Sequence, residues 1–166
     1  TYGFSDEGAL MWMRDEKGNR LEVGYDGQGR VETVVDSASG RVLTFHYDDS
    51  SLLAWIEGPA TDAVSNGNWV SFLYDGRENL TSVTYADGSG FAYAYEDPGD
   101  IHNLTAKRDK LNHLLNTWAY DSEDRAVANF SVQGKGVTGI VYVSEKQVDV
   151  TDAYGQLRTY TLEDFD

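Results

Sequence analysis

Residues 25–47 read YDGQGRVETVVDSASGRVLTFHY, and the signals for strands and turns are clearest here. It contains two groups of turn-forming residues, at positions 26–29 and 36–40, each opened by Asp and closed by Gly. An Asp side chain can bond to its own backbone two residues on, and Gly adopts positive φ without steric cost. Both groups therefore predict tight turns, and the segments between them predict short strands.

The segments that flank the second turn support this interpretation. Leu43, Phe45 and Tyr47 alternate with the intervening residues, a period of two that is typical of a half-buried strand. In the preceding strand Val31 and Val34 lie three residues apart. One extra residue in that strand would bring both onto one face, so we expect a β-bulge there.

The Tyr-Asp pair that opens the stretch recurs along the chain. Pairs begin at Tyr25, Tyr47, Tyr74 and Tyr120, and a degenerate Tyr95-Glu96 lies between the last two. The intervals are 22, 27, 21 and 25 residues. A loosely kept period of this size predicts a stack of two-stranded units. We expect the four Tyr-Asp tyrosines to occupy equivalent positions and to point to one face of the sheet.

Other segments alternate in the same way, namely residues 69–74, 91–95, 148–150 and 157–161. The sequence thus predicts an all-β fold of about fourteen antiparallel strands, joined by hairpin turns into an open, curved or spiralling sheet. Residues 58–67 and 97–100 are expected to be longer loops. Residues 107–115, KRDKLNHLL, leave a helical turn open as an alternative.

Composition limits the classes of function. With 13 basic and 28 acidic residues the formal net charge is −15, which argues against nucleic acid and anionic membranes as partners. The chain has no cysteine, hence no disulfide or thiolate metal site. It contains neither an apolar run of about 20 residues nor a secretory signal. Since Thr1 begins in mid-pattern, we expect residues 1–166 to be one repeat domain of about six to seven units, cut from a longer chain.

The repeat pattern resembles the RHS or YD repeat of bacterial RHS proteins, insecticidal toxin complexes and teneurins. The first full unit carries it at Tyr25, Asp26, Gly29, Arg30, Val31, Val34, Asp36, Gly40, Arg41, Phe45, Tyr47 and Asp48. A looser copy uses Tyr74, Asp75, Leu80, Val83, Gly88 and Tyr95, and Tyr120-Asp121 opens another.

This resemblance implies a β-sheet that spirals into a hollow shell around a toxin or effector domain C-terminal to the repeats. It also implies that the parent protein is secreted or displayed at the cell surface. The partners would be the flanking repeats and that C-terminal domain. The family's self-cleaving region has no counterpart after Tyr154, so no cleavage is expected here.

No catalytic or cofactor site is predicted. The Tyr-Asp pairs could be read as acid/base dyads, but one pair at each strand-to-turn junction favours a structural role in which the ring packs and the carboxylate caps the turn. His46, His102 and His113 show no metal-ligand spacing. Neither the Asp48-Asp49 pair nor residues 97–100 follow a calcium-loop pattern.

Two other groups of residues have alternative interpretations. Asn79, Asn103 and Asn129 begin glycosylation sequons, although Asn-Leu-Thr in the first two also fits the start of a strand. A sugar- or protein-binding platform is the alternative function and would use the tryptophans, all in predicted strands: Trp12, Trp55, Trp69 and Trp118. The favoured interpretation is packing, and a non-enzymatic structural module.

The ends of the sheet predict self-association. A strip cut from a longer sheet leaves unpaired edges, which we expect near residues 9–14 and 156–162. Edge-to-edge pairing would be opposed by the net negative charge, and most strongly beside Glu163, Asp164 and Asp166.

Overall fold

The structure is a computed structural model and describes residues 1–59, 67–132 and 136–163. These residues form β-strands joined by turns and loops, and they include no helix that could cross a membrane. The strands are β1 (Tyr2–Phe4), β2 (Leu10–Arg14), β3 (Arg20–Tyr25), β4 (Val31–Asp36), β5 (Val42–Tyr47), β6 (Leu53–Glu57), β7 (Trp69–Tyr74), β8 (Leu80–Tyr85), β9 (Gly90–Ala94), β10 (Ala106–Asp109), β11 (Leu114–Tyr120), β12 (Ala126–Ser131), β13 (Gly136–Ser144), β14 (Gln147–Thr151) and β15 (Leu157–Thr161).

Strand order follows chain order. The fifteen strands form one antiparallel sheet from β1 to β15, without a crossover. Short hairpin turns make this the expected arrangement, since only longer connections allow strands to exchange places. The predicted all-β, antiparallel and open fold is confirmed, with one strand more than the predicted number.

The predicted bulge is confirmed in β4. Gly24 pairs with Thr33 and Tyr25 pairs with Val31, so Glu32 is the extra residue. The same shift follows other turns, where a strand-end residue pairs with the residue six positions later: Phe4 with Leu10, Tyr47 with Leu53, Arg108 with Leu114, and Tyr120 with Ala126. The bulge therefore accompanies this kind of turn at several positions, whereas β2–β3 and β14–β15 pair without a register shift.

The chain divides into two compact units. The first comprises Thr1–Leu73 and Val83–Ser89. Residues that pair across adjacent antiparallel strands share a face of the sheet. On this basis one face of the first unit is apolar and carries Leu21, Val23, Val34, Leu43, Phe45, Ile56 and Val70. The other face mixes polar and aromatic residues and carries Trp12, Glu22, Thr33, Thr44, His46, Trp55, Glu57, Trp69 and Ser71.

The second unit comprises Tyr74–Ser82 and Gly90–Asp166. Its strands β9 to β15 also pair in order, with Lys107 opposite Tyr93 and Asn129 opposite Trp118. Lys107 Nζ lies 3.8 Å from the centroid of the Phe91 ring on the adjacent strand. Cross-strand pairs of this kind supply most of the side-chain contact in a sheet.

Few side chains are buried. Among the described residues the buried apolar side chains are Val23, Val83 and Ala106, and the buried polar one is Asn79. Large side chains such as Leu73, Val141 and Tyr154 are mostly exposed. Strand pairing and local side-chain contacts, rather than a deep core, therefore hold the sheet together.

The structure excludes one alternative and corrects one expectation. Residues 107–115 form no helical turn; β10 ends at Asp109, a tight turn follows, and β11 begins at Leu114. The outermost N-terminal strand is β1, at Tyr2–Phe4, and not the segment near residues 9–14, which forms β2 beside it. The expected C-terminal edge agrees with β15, at Leu157–Thr161.

Of the two longer loops, the one at residues 97–100 is fully described and the other only in part. Gly58 N–H donates a hydrogen bond to Asn68 O at 2.6 Å, which closes the base of the loop between β6 and β7. Residues 60–66 of that loop lie outside the described part of the chain, as do Asp164 and Asp166. The expected loop at residues 97–100 lies in the connection between β9 and β10.

Candidate functional site

The turn after β3 shows why the chain places Asp behind Tyr. Asp26 N–H donates to Arg30 O at 2.8 Å, and Gly29 N–H donates to Asp26 O at 3.0 Å. The Asp26 carboxylate Oδ1 accepts from the N–H groups of Gln28 and Arg30, both at 2.9 Å. Gly29 has a φ of 78°. The carboxylate thus satisfies backbone donors that the reversal of the chain would otherwise leave without partners.

This five-residue turn recurs along the described chain. Its first residue, whose side chain accepts from the N–H groups two and four positions later, is Ser5, Asp15, Asp26, Asp48, Asp75, Asp109, Asp121 or Asp152. Its fourth residue has positive φ and is Gly8, Gly18, Gly29, Ser51, Glu78, Asn112, Asp124 or Gly155. The turns at Ser5, Asp15, Asp109 and Asp152 have no Tyr-Asp pair, so the structural repeat is more frequent than the sequence motif.

The second turn of the quoted stretch uses a related arrangement. Gly40 N–H donates to Asp36 O at 2.8 Å, and Gly40 has a φ of 69°. Asp36 Oδ1 accepts from Ala38 N–H at 3.0 Å, and Asp36 Oδ2 accepts from the Ser39 hydroxyl at 2.6 Å. Here the backbone of Asp36 bonds to Arg41 O, which makes the turn one residue longer.

The tyrosines fasten each strand to the preceding one. A strand-end tyrosine hydroxyl donates to a backbone carbonyl 15 or 16 residues earlier, in the pairs Tyr25–Leu10, Tyr47–Val31, Tyr95–Leu80, Tyr120–Leu104 and Tyr142–Ala126. These bonds measure 2.8–3.1 Å. Within each unit the tyrosines project from one face, as the strand register requires. Tyr74 ends β7 directly before its own Asp turn.

Two of these contacts include an arginine. Arg30 Nε donates to Asp26 Oδ2 at 2.8 Å, and its guanidinium lies 4.2 Å from the centroid of the Tyr47 ring. In the second unit Arg125 donates to Asp121 Oδ2 at 2.7 Å and lies 4.3 Å from the Tyr142 ring centroid. Each cluster joins a turn to the tyrosine at the end of the following hairpin strand, through an ion pair and a cation–π contact.

These contacts favour the charged form of the carboxylates. The backbone N–H of Arg30 holds the pKa of Asp26 below its ordinary value, and the Arg125 side chain does the same for Asp121. Burial raises the pKa of the Tyr95 and Tyr120 hydroxyls. In the Tyr47-Asp48 pair the hydroxyl bonds to Val31 O while the carboxylate bonds to backbone N–H groups. The neighbouring groups are thus occupied separately and form no proton-transfer dyad.

Asn79 is the buried polar residue that the sequence motif did not indicate. Its side-chain Nδ2 donates to Asp75 Oδ2 at 3.1 Å and to Ile101 O at 2.9 Å, and its Oδ1 lies 2.7 Å from His102 Nδ1. It is 6% exposed. This network ties the Asp75 turn to the long connection before β10. The side-chain amide nitrogen of Asn79 therefore already donates hydrogen bonds, which supports a structural role for Asn79 over a role as a glycosylation acceptor.

The remaining candidate residues are dispersed. Asn103 Nδ2 donates to Asp97 Oδ2 and Asp124 Oδ1, and Asn129 Nδ2 donates to Thr117 O. His113 Nδ1 lies 2.9 Å from Asp109 Oδ2, within its own turn. Across the described ranges no three His or acidic residues converge in a way that could hold a metal ion.

The tryptophans are not all packed in the same way. Trp12, Trp55 and Trp69 share the mixed face of the first unit, and Trp118 lies in β11 of the second. Trp55 is 43% exposed and Trp69 is 37% exposed. The His46 ring stacks on Trp55 with a centroid distance of 4.3 Å and an interplanar angle of 15°. This surface places two partly exposed indole rings beside the carboxylate of Glu57.

Comparison with known proteins gives weak structural likeness. No protein-family model and no curated protein matches the chain. A crystal structure of TcdB2-TccC3 is similar at 13% identity and a TM-score of 0.44, over 95% of this chain and 12% of that chain. A Photorhabdus luminescens Tc holotoxin pore with mutated TccC3 is similar at 13% identity and a TM-score of 0.43, over 95% and 11%. The chain spans only about an eighth of these proteins, and likeness at this level identifies no family.

Proposed function

We propose that this chain is a non-enzymatic structural module, a strip of β-sheet wall from a longer YD-repeat protein of the RHS type. In the parent protein the wall would enclose or display a C-terminal toxin or effector domain, outside the cell or at its surface. Residues 1–166 would be one repeat domain within it, and flanking repeats would pair with the outermost strands β1 and β15.

The observation that carries the proposal is the tyrosine contact between successive hairpins. Tyr47 of one hairpin bonds to the carbonyl of Val31, the first strand residue after the preceding turn. Arg30 of that turn covers the same ring. Each hairpin is therefore stabilised by contacts with the hairpin that follows it, which is how repeat arrays gain stability from nearest neighbours.

The use of the polar groups supports a structural role. The Asp carboxylates accept turn N–H groups, and the tyrosine hydroxyls donate to backbone carbonyls. A general acid or base needs a proton that it can exchange with a substrate in a cleft. The Asp carboxylates and tyrosine hydroxyls of the repeated turns are hydrogen-bonded to backbone groups instead.

Two experiments test the proposal. The parent protein, isolated with its flanking segments, should protect its C-terminal domain from proteases until the repeat region is cut. A C-terminal domain that is digested at the same rate with and without intact repeats would refute enclosure. The chain should also show no turnover on a panel of glycans. Turnover above background that one Asp or Glu substitution abolishes would refute the non-enzymatic assignment.

A second candidate function is a protein- or carbohydrate-binding module at a cell surface. The observation that favours it is the exposed pair Trp55 and Trp69 on one face of the first unit. A wall and a binding surface are compatible, because the binding residues project from the sheet without altering its strand pairing.

A further inference from the structure

The first unit contains an internal cation site. Trp12 in β2 lies directly opposite Glu22 in β3. Arg20 places its guanidinium 4.9 Å from the centroid of the Trp12 ring, and its Nε lies 3.2 Å from Glu22 Oε1. A second guanidinium, that of Arg14, lies 5.7 Å from the centroid of the same ring. Arg20 is thus held between the indole and the carboxylate of a cross-strand Trp–Glu pair, which complement its planar face and its charge.

A second Trp–Glu pair lies on the same face of the first unit. Trp69 in β7 is directly opposite Glu57 in β6. Here no Lys or Arg of the described ranges lies over Trp69 or Trp55. Residues 58–68, which join the two strands, contain no Lys or Arg at all. This pair has the indole and the carboxylate of the first site without its arginine; the basic group beside it is His46, whose Nε2 lies 3.5 Å from Glu57 Oε2.

The second pair has an additional indole. Trp55 lies two residues before Glu57 on the same face, diagonal to Trp69, and His46 stacks on it. Trp55, Glu57, Trp69 and Ser71 line a shallow recess of about 370 Å³. The recess therefore offers two partly exposed aromatic rings, one carboxylate and one hydroxyl. Its size fits a single side chain better than a folded surface.

We propose that this recess binds the guanidinium group of an arginine presented by a partner protein. A guanidinium stacks on indole rings and forms ion pairs with carboxylates, and Arg20 makes both contacts, with Trp12 and Glu22. The net charge of −15 attracts a basic segment and steers it to the surface. A neutral sugar would use the rings but would bring no positive charge to the carboxylate.

The four tryptophans make the test specific, because each gives one indole N–H signal in an NMR spectrum. The chain is titrated with the peptide acetyl-Gly-Arg-Gly-amide and, separately, with its citrulline counterpart, which has the same shape without the charge. The Trp55 and Trp69 signals should shift saturably with the arginine peptide, with a dissociation constant of about 1–10 mM. Trp12 and Trp118 should remain unchanged, and the citrulline peptide should bind at least about tenfold more weakly.

Two variants distinguish the site from general charge attraction. Glu57→Gln should weaken binding by at least about tenfold, whereas Glu145→Gln, which removes one exposed carboxylate from the turn after β13, should not. Replacing both Arg14 and Arg20 by Ala should open the first site, so that the Trp12 signal now also responds to the arginine peptide. Far-ultraviolet circular dichroism checks that each variant keeps its sheet.

Several results would overturn the proposal. The first is that the Trp55 and Trp69 signals show no saturable shift at peptide concentrations of up to 50-fold the expected dissociation constant. The others are that the citrulline peptide shifts these signals equally, or that Glu57→Gln and Glu145→Gln weaken binding equally. Preferential binding of cellobiose over the arginine peptide would identify the recess as a sugar platform instead. A response to free argininamide with none to the peptide would assign it to a small-molecule cation rather than a protein partner.

Discussion

The side-chain amide of Asn79 donates a hydrogen bond to the carbonyl of Ile101, 22 residues further along the chain, at 2.9 Å. Asn79 is buried, so truncation of its side chain removes the amide donor to the Ile101 carbonyl and to Asp75 Oδ2. We expect Asn79→Ala to lower the free energy of unfolding by about 2 kcal/mol, measured by urea denaturation. Asn19→Ala removes the exposed residue at the same turn position and should cost less than about 1 kcal/mol. Equal losses of unfolding free energy in Asn79→Ala and Asn19→Ala would contradict the role of burial.

The tyrosine contacts predict a smaller effect. Tyr47→Phe removes the bond to Val31 O but keeps the ring under Arg30. The free energy of unfolding should fall by about 1 kcal/mol. Tyr154 is 88% exposed, and Tyr154→Phe should leave the urea midpoint unchanged. If Tyr47→Phe and Tyr154→Phe both unfold at the urea midpoint of the unaltered chain, the hydroxyl contact does not stabilise the sheet.

The fourth turn position predicts a stabilising substitution. Glu78 has a φ of 66°, in the left-handed region that favours Gly, as found at Gly18 and Gly29 in equivalent turns. Glu78→Gly should raise the free energy of unfolding by about 0.5–1 kcal/mol, since the relief of backbone strain exceeds the entropy cost of Gly. Glu16→Gly, in the second position of the Asp15 turn, should be neutral or destabilising. A loss of stability in Glu78→Gly would refute the strain argument.

Stability should decrease in acid. The pKa of Asp26 is lowered in the folded chain by the backbone N–H of Arg30, so this group stabilises the fold above its unfolded pKa of about 3.9. That contribution is lost as the pH falls through the lower folded value. The urea midpoint should therefore drop below about pH 4. Asp26→Asn should be less stable than the unaltered chain at pH 7, and the difference should narrow at pH 3; a constant difference would contradict the assignment.

Self-association should increase with salt. β1 and β15 each have one neighbour in the sheet, and unpaired edges favour pairing with another copy. The net charge of −15 opposes this until salt screens it beyond about 8 Å. Light scattering across a salt series should show a mean particle size that rises with salt concentration. Leu157→Lys in β15 should make this rise smaller, whereas Leu111→Lys in the turn after β10 should not. A strictly monomeric chain at high salt would mean that the edges are covered.

Local chemistry made much of this fold predictable. The Asp and Gly turns, the alternation in β5 and the bulge in β4 all depend on residues within a few positions of each other. β1 was missed because three residues, Tyr2–Phe4, are too few to show a period. The turn after β10 was ambiguous because its leucine spacing is also compatible with a helix.

The contacts that could not be predicted depend on register. Tyr142 is followed by Val143, so no Tyr-Asp motif marks its bond to Ala126 O. Likewise, the pairing of Trp69 with Glu57 across two strands depends on the length of the loop between them and on its register. A sequence pattern gives the face of each residue within one strand, but it does not give the residue opposite.

The order of the strands also determines how this protein can fold. Partners in the ladders are close in sequence: Tyr25 meets Val31 six residues later, and Leu21 meets Asp36 fifteen residues later. Closing such short loops costs little chain entropy, so any hairpin can form first and the sheet can grow from it in both directions. Sheets with distant partners fold slowly because that cost comes before the contacts that repay it. In its contact order this β-sheet is thus closer to a helical repeat array than to a β-sandwich, and its folding should be correspondingly fast.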